Sequence, residues 1–121
     1  MMNSPIQVDA SDFVLQSLNT IGSKLPKKTM YILLVKSYQC SYCVQYMPTF
    51  EQFAIKHTNV GFLLLEASTN AAMLGQWREL DSPAFNIHGY PTVVMYNSEG
   101  HPDHAVTDRN ALDMEITKMM L

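Results

Sequence analysis

The residues best suited to chemistry are two thiols in the stretch Gln39-Cys40-Ser41-Tyr42-Cys43, which holds both cysteines of the chain. At this spacing one sulfur can attack a disulfide, and the other is close enough to resolve the mixed disulfide that results. The segments on either side suggest how the two thiols are held. Upstream, Met30-Tyr31-Ile32-Leu33-Leu34-Val35 is an apolar run that predicts a buried strand. Downstream, Cys43, Met47, Phe50 and Ala54 fall at i, i+4, i+7 and i+11, the stripe of a helix that turns one side to a core. Cys40 then stands at the helix start, where first-turn amide hydrogens have no intrahelical partner and the helix dipole favours negative charge. A thiol placed there loses its proton easily. Two other readings compete: a buried, inert pair, and a zinc site made of Cys40, Cys43, His101 and His104. The strand-to-helix position weighs against the first. The long interval from Cys43 to His101 is wrong for a finger, so no metal is expected.

The elements that must position these thiols can be read in order. Ile6-Gln7-Val8 alternates like a short edge strand, and Ser11 is placed to cap a helix with Val14, Leu18, Ile21 and Leu25 on its apolar stripe. The helix after Cys40 is expected to run past Pro48 with a kink and to end around His57 to Asn59. Val60 to Leu65 reads as a strand buried on both faces, parallel to the first through a right-handed crossover. Met73, Trp77 and Leu80 predict a further helix, followed by extra length through Asp81-Ser82-Pro83-Ala84-Phe85 that suggests a longer helix or a loop near the active face. Thr92 to Tyr96 and roughly His104 to Thr107 form a hairpin across Asn97 to Gly100. Asp108 is then placed to cap a closing helix with Leu112, Ile116 and Met119 buried.

A chain of 121 residues is the size of a single domain, expected to span 1–121 with a core that needs no staples. With 47% apolar and 16% charged residues it reads as globular, and a net charge of −3 offers no basic footprint for nucleic acid. The cluster Lys24, Lys27 and Lys28 reads as a solvated loop. Met1-Met2-Asn3-Ser4-Pro5 lacks a basic region before an apolar core, and no run approaches membrane-spanning length, so the expectation is a cytosolic protein with no membrane partner. Oligomeric state is not legible.

Beyond the CxxC itself, Pro48 lies eight residues after Cys40, and Gly89-Tyr90-Pro91-Thr92 is followed by Val93-Val94-Met95-Tyr96 and a turn. In these features the chain resembles the thioredoxin superfamily from about residue 30 onward, and the residues ahead fit that family's leading strand and helix. The resemblance implies an α/β thioredoxin fold, a central mixed sheet of four to five strands flanked by about four helices. It also implies a thiol–disulfide oxidoreductase acting on protein disulfides, with Cys40 as nucleophile and Cys43 as resolving thiol. No cofactor is implied, and the expected partners are protein disulfides and a thiol reductant or oxidant. Tyr90 and Pro91 would form the family's cis-proline loop, offering backbone groups to an extended substrate. With Tyr42 and Gln39 they make up the expected substrate-binding set. Tyr38, Tyr42 and Tyr46 read equally as a docking surface or as packing residues.

The pattern departs from the family at Gln39, where tryptophan is usual, and at Leu34, where a buried acid is common. Ser41-Tyr42 is similar to the dipeptide of some glutaredoxins, although the Gly-Gly pair that helps those proteins bind glutathione is missing. Two alternatives therefore stand beside the oxidoreductase: a glutaredoxin-like glutathione or iron–sulfur protein, and a non-catalytic interaction module.

Overall fold

A computed structural model describes residues 3–14, 20–80, 82–85, 87 and 89–121. The strand formed by the apolar run, β2 (Met30–Lys36), has six of its seven residues buried, which is possible only in the middle of a sheet covered on both faces. It pairs in parallel with β3 (Val60–Glu66) and antiparallel with β4 (Thr92–Tyr96). The edges are β1 (Ile6–Val8), beside β3, and β5 (Pro102–Ala105), beside β4, giving the order β1-β3-β2-β4-β5.

Alternation along β2 sorts the core into two layers. Tyr31, Leu33 and Val35 pack with Trp77 and Phe85, on the side covered by α2 (Ala71–Glu79). Met30, Ile32 and Leu34 pack with Phe50 and Ile116, under α1 (Ser41–Lys56) and α3 (Leu112–Met120). Asn3 sews the start of the chain to this layer: its side-chain amide donates to the carbonyls of Ala54, His57 and Val60 at 3.0, 3.1 and 2.9 Å.

Three α-helices appear among the described residues, against an expectation of about four. The N-terminal helix is the one that differs. Asp9, not Ser11, is the cap, and it caps only a 3-10 turn at Ala10–Asp12 through the Ser11 amide at 2.8 Å. Phe13 then extends, bridging antiparallel to Ile21, with the Val14 amide on the Thr20 carbonyl at 2.7 Å. The reason is packing: Phe13 is buried edge-on against Trp77, 5.4 Å between ring centres, a placement that outweighs local helix preference. Ile21 and Leu25 do reach the core as their spacing predicts, whereas Leu18 lies outside the described residues.

Smaller departures follow the same logic. On α2 the buried positions are Met73, Leu74 and Trp77, while Leu80 lies exposed beyond the helix end. Pro83–Phe85 is a 3-10 turn whose Phe85 ring is buried against Trp77 at 4.6 Å and Tyr96 at 6.4 Å; Asp81 lies outside the described residues. α3 starts without a side-chain cap, because Asp108 instead accepts from the Asn110 amide at 3.1 Å, one turn too early. β5 begins at Pro102, two residues before the expected strand. The hairpin turn ahead of it needs Gly100, which sits at φ 82° with its carbonyl accepting from the Ile21 amide at 2.8 Å; a Cβ there would meet the Ile21 carbonyl oxygen at 3.0 Å.

Candidate active site

Sheet register gathers the site. Val35 is paired with Thr92, so the chain leaving β2 toward Cys40 and the chain entering β4 from Tyr90-Pro91 meet at one end of the sheet. Cys40 has extended backbone angles and caps α1, its sulfur accepting from the Cys43 amide at 3.3 Å. The thiol is partly exposed. The Cys43 thiol facing it, together with the Cys43 and Tyr42 amides and the charge of Arg109, holds its pKa below the ordinary thiol value, against a smaller opposing effect of desolvation.

Cys43 is different in each respect. It is 1% exposed on the inner stripe of α1, and burial, with the neighbouring Cys40, pushes its pKa up to about 11. The Ser37 amide and the Lys36 charge act the other way on it. Lys36 follows Ile32 and Leu34 on the α1 face and pairs across the strands with Glu66 at 3.3 Å, both side chains mostly buried. Leu34 itself is fully buried between Leu64 and Val93 of the neighbouring strands.

The third wall is the loop before β4. The Tyr90–Pro91 bond is cis, and the Tyr90 carbonyl accepts from the Cys40 thiol at 3.4 Å. Thr92 steadies the loop, its hydroxyl donating to the Gly89 carbonyl at 2.6 Å. Tyr90 packs its ring partly into the core, and its hydroxyl accepts from the Arg78 guanidinium of α2 at 3.1 Å. From the opposite face of the sheet comes Arg109, just ahead of α3, whose guanidinium lies over the Tyr46 ring at 5.5 Å.

Of the residues singled out in the sequence, Cys40, Cys43, Tyr90 and Pro91 come together here. Gln39 and Tyr42 stand on the exposed rim with Tyr38; the Gln39 side-chain amide donates to the Tyr38 hydroxyl at 3.3 Å, and Tyr38 and Tyr42 are each 65% exposed. Tyr46 belongs to the packing reading: it is buried, and its hydroxyl donates to the Arg109 carbonyl. The helical stripe leaves it out because i+3 and i+4 from Cys43 both face inward, and Tyr46 takes the deeper place while Met47 is only partly buried. His101 and His104 are occupied elsewhere: His101 lies 3.9 Å from Glu99, and His104 contacts Asp103 and Glu115 at 2.6 and 2.8 Å. Arg78 and Arg109 are not singled out by sequence reading. The one signal that could have found them is compositional, since they are the only arginines in the chain.

No protein-family model matches the sequence, and no curated protein matches it. Solved structures do. The short form of thioredoxin f from spinach chloroplast is similar with a TM-score of 0.73 at 20% identity, covering 99% of this chain and 96% of its own. Thioredoxin from Trypanosoma brucei brucei gives 0.69 at 15% identity, with 99% and 94% covered. A mutant thioredoxin from Halobacterium salinarum gives 0.68 at 18% identity, with 98% and 92% covered. Full-length overlap with these proteins, a five-stranded mixed sheet and α1 capped by one member of a CxxC pair together show that this chain has the thioredoxin fold.

Proposed function

We propose that the protein is a thiol–disulfide oxidoreductase acting on protein disulfides, with Cys40 as the attacking thiol and Cys43 as the resolving thiol. The observation that carries this reading is the inequality of the pair: one sulfur partly exposed at a helix start with its ionisation favoured, the other buried and held protonated. In the reducing direction the Cys40 thiolate attacks one sulfur of the substrate disulfide. The S–S bond breaks, the departing substrate sulfur leaves as a thiolate and takes a proton, and Cys40 is left in a mixed disulfide. Cys43 then gives up its proton and attacks the Cys40 sulfur, releasing the second substrate thiolate and closing the Cys40–Cys43 bond. The substrate gains two electrons and the chain loses two, which a thiol reductant must restore. Oxidation of substrate thiols is the same sequence reversed, with a disulfide oxidant as partner.

The remaining site residues take supporting roles in this reading. Tyr90 and Pro91 shape the wall beside the attacking sulfur, while Tyr42 and Gln39 meet the substrate on the rim. The experiment is covalent trapping. Cys43→Ser, incubated with a disulfide-bonded protein, should accumulate a mixed disulfide that dithiothreitol dissolves, whereas Cys40→Ser should give none. Adducts formed through Cys43 would reverse the roles, and absence of adducts from either variant would end the reading.

A further inference from the structure

Six of the chain's eight lysine and arginine side chains are lysines, and its two arginines each rest on a tyrosine of the candidate site, Arg78 on Tyr90 and Arg109 on Tyr46. Arg78 reaches it from the α2 side of the sheet, its guanidinium on the hydroxyl of Tyr90, whose carbonyl contacts the Cys40 sulfur. Arg109 reaches it from the α3 side, resting on Tyr46 and close enough for its charge to act on Cys40. Each guanidinium is therefore steadied by an aromatic residue of the site. Neither is paired with a carboxylate among the described residues, where the salt bridges found involve Lys36, Lys56 and histidines. The nearest described acids in sequence do not change this, Asp81 lying outside the described residues. Asp108 is turned onto the Asn110 amide, and Glu79 is adjacent to Arg78 on a helix, a spacing at which side chains do not face each other. In a chain of net charge −3 this leaves one planar, multiply donating cation on each side of the sheet, next to a tyrosine of the site, and such a group matches carboxylates. The rim also offers Tyr38 and Tyr42, exposed aromatic surface for an extended segment.

We propose that Arg78 and Arg109 are specificity residues that select disulfides in acidic, extended polypeptide segments, with substrate carboxylates on both sides of the reacting cysteine. This inference rests on the exchange chemistry proposed above and adds the class of substrate. The electron and proton balance is that of the exchange already written; the arginines alter only which segment docks.

The experiment uses the reduced full chain and short peptides with one cysteine in disulfide linkage to a chromogenic thiol, flanked on both sides by Glu, Gln or Lys. Thiol release should be fastest for Glu and slowest for Lys, with Glu over Gln by roughly three- to ten-fold at low salt. The ratio should shrink toward one as ionic strength rises. Arg78→Gln and Arg109→Gln should each lower the Glu/Gln ratio, the double variant should abolish it, and Arg109→Lys should keep part of it. Because each ratio is taken within one protein, a change in Cys40 reactivity cancels. A ratio at or below one in the wild type, or one that survives the double variant, overturns the inference while leaving the exchange chemistry standing. A preference confined to a glutathionyl probe, with none for the Glu peptide, overturns it as well. Failure to release thiol from any of the peptides would sink both.

Discussion

At the scale of single residues the two thiols divide the work by environment. Differential alkylation followed by mass spectrometry should find Cys40 reacting at a pH below the ordinary thiol range and Cys43 only toward pH 11. The Cys43 shift also has a sign for stability: its folded pKa lies above the unfolded one, so the stabilisation it gives is complete below about pH 8.5 and is lost as pH rises toward 11. Urea midpoints should fall across that window less steeply in Cys43→Ala than in the wild type. Resolution needs a route for the Cys43 proton, and fully buried Leu34 supplies none. Leu34→Asp should speed resolution of a mixed disulfide in stopped-flow measurements while costing about 1–3 kcal/mol of stability for an unpaired buried polar group. Unchanged resolution would mean that the proton already has another route. The Tyr90 carbonyl works in a second way at this scale. It accepts a hydrogen bond from the thiol and has nothing to accept from the thiolate, so ionisation of Cys40 frees an acceptor for a backbone amide of the incoming segment. How much of this is legible in the sequence follows from what is local. The CxxC lies between two segments with strong periodicity, so its strand-to-helix setting can be read. Arg109 reaches the site through Tyr46, 63 positions away in sequence, and no pattern along the chain encodes that contact.

The elements differ in how firmly they are tied. α3 is held to the rest by charged contacts at its first turns: Asp113 takes Lys56 at 2.7 Å and His57 at 2.5 Å from the end of α1, and Glu115 takes His104 of β5. Burial works against protonation of His104, but the carboxylates of Asp103 and Glu115 outweigh it, and its pKa is raised. A raised histidine stabilises the fold fully below its unfolded value near 6.5 and ceases to do so as pH climbs past its folded value. Hydrogen exchange of α3 amides should therefore quicken as pH rises above about 6.5, beyond the intrinsic pH effect, and the excess should vanish in His104→Gln. The three inner strands are legible because their apolar runs are of strand length and are bounded by polar or turn residues, whereas the polar edge strand β5 is misplaced by two residues. The leading helix is misread because the stripe Val14, Leu18, Ile21 and Leu25 has a helical period, while the bridge of Phe13 to Ile21 and the packing of Phe13 on the Trp77 ring are contacts that no local pattern encodes.

For the molecule as a whole, the joins between distant segments matter more than any one element. Asn3 bonds three carbonyls around the end of α1 and the start of β3, so Asn3→Ala should lower the thermal midpoint by several degrees, reflecting about 1–3 kcal/mol of unsatisfied backbone. Little change by calorimetry would mean that water replaces the amide there. The register that pairs Val35 with Thr92 has a further consequence, in time rather than in space. During synthesis Cys40 and Cys43 emerge first, then the Tyr90 loop, and last the Arg109 turn, since translation proceeds N- to C-terminal. The contacts between Cys40 and the first turn of α1 are local, whereas the Tyr90 carbonyl and the charge of Arg109 come to the Cys40 sulfur only after those later segments have docked. The attacking thiol thus acquires its environment in stages, the helix start first and the Arg109 turn last.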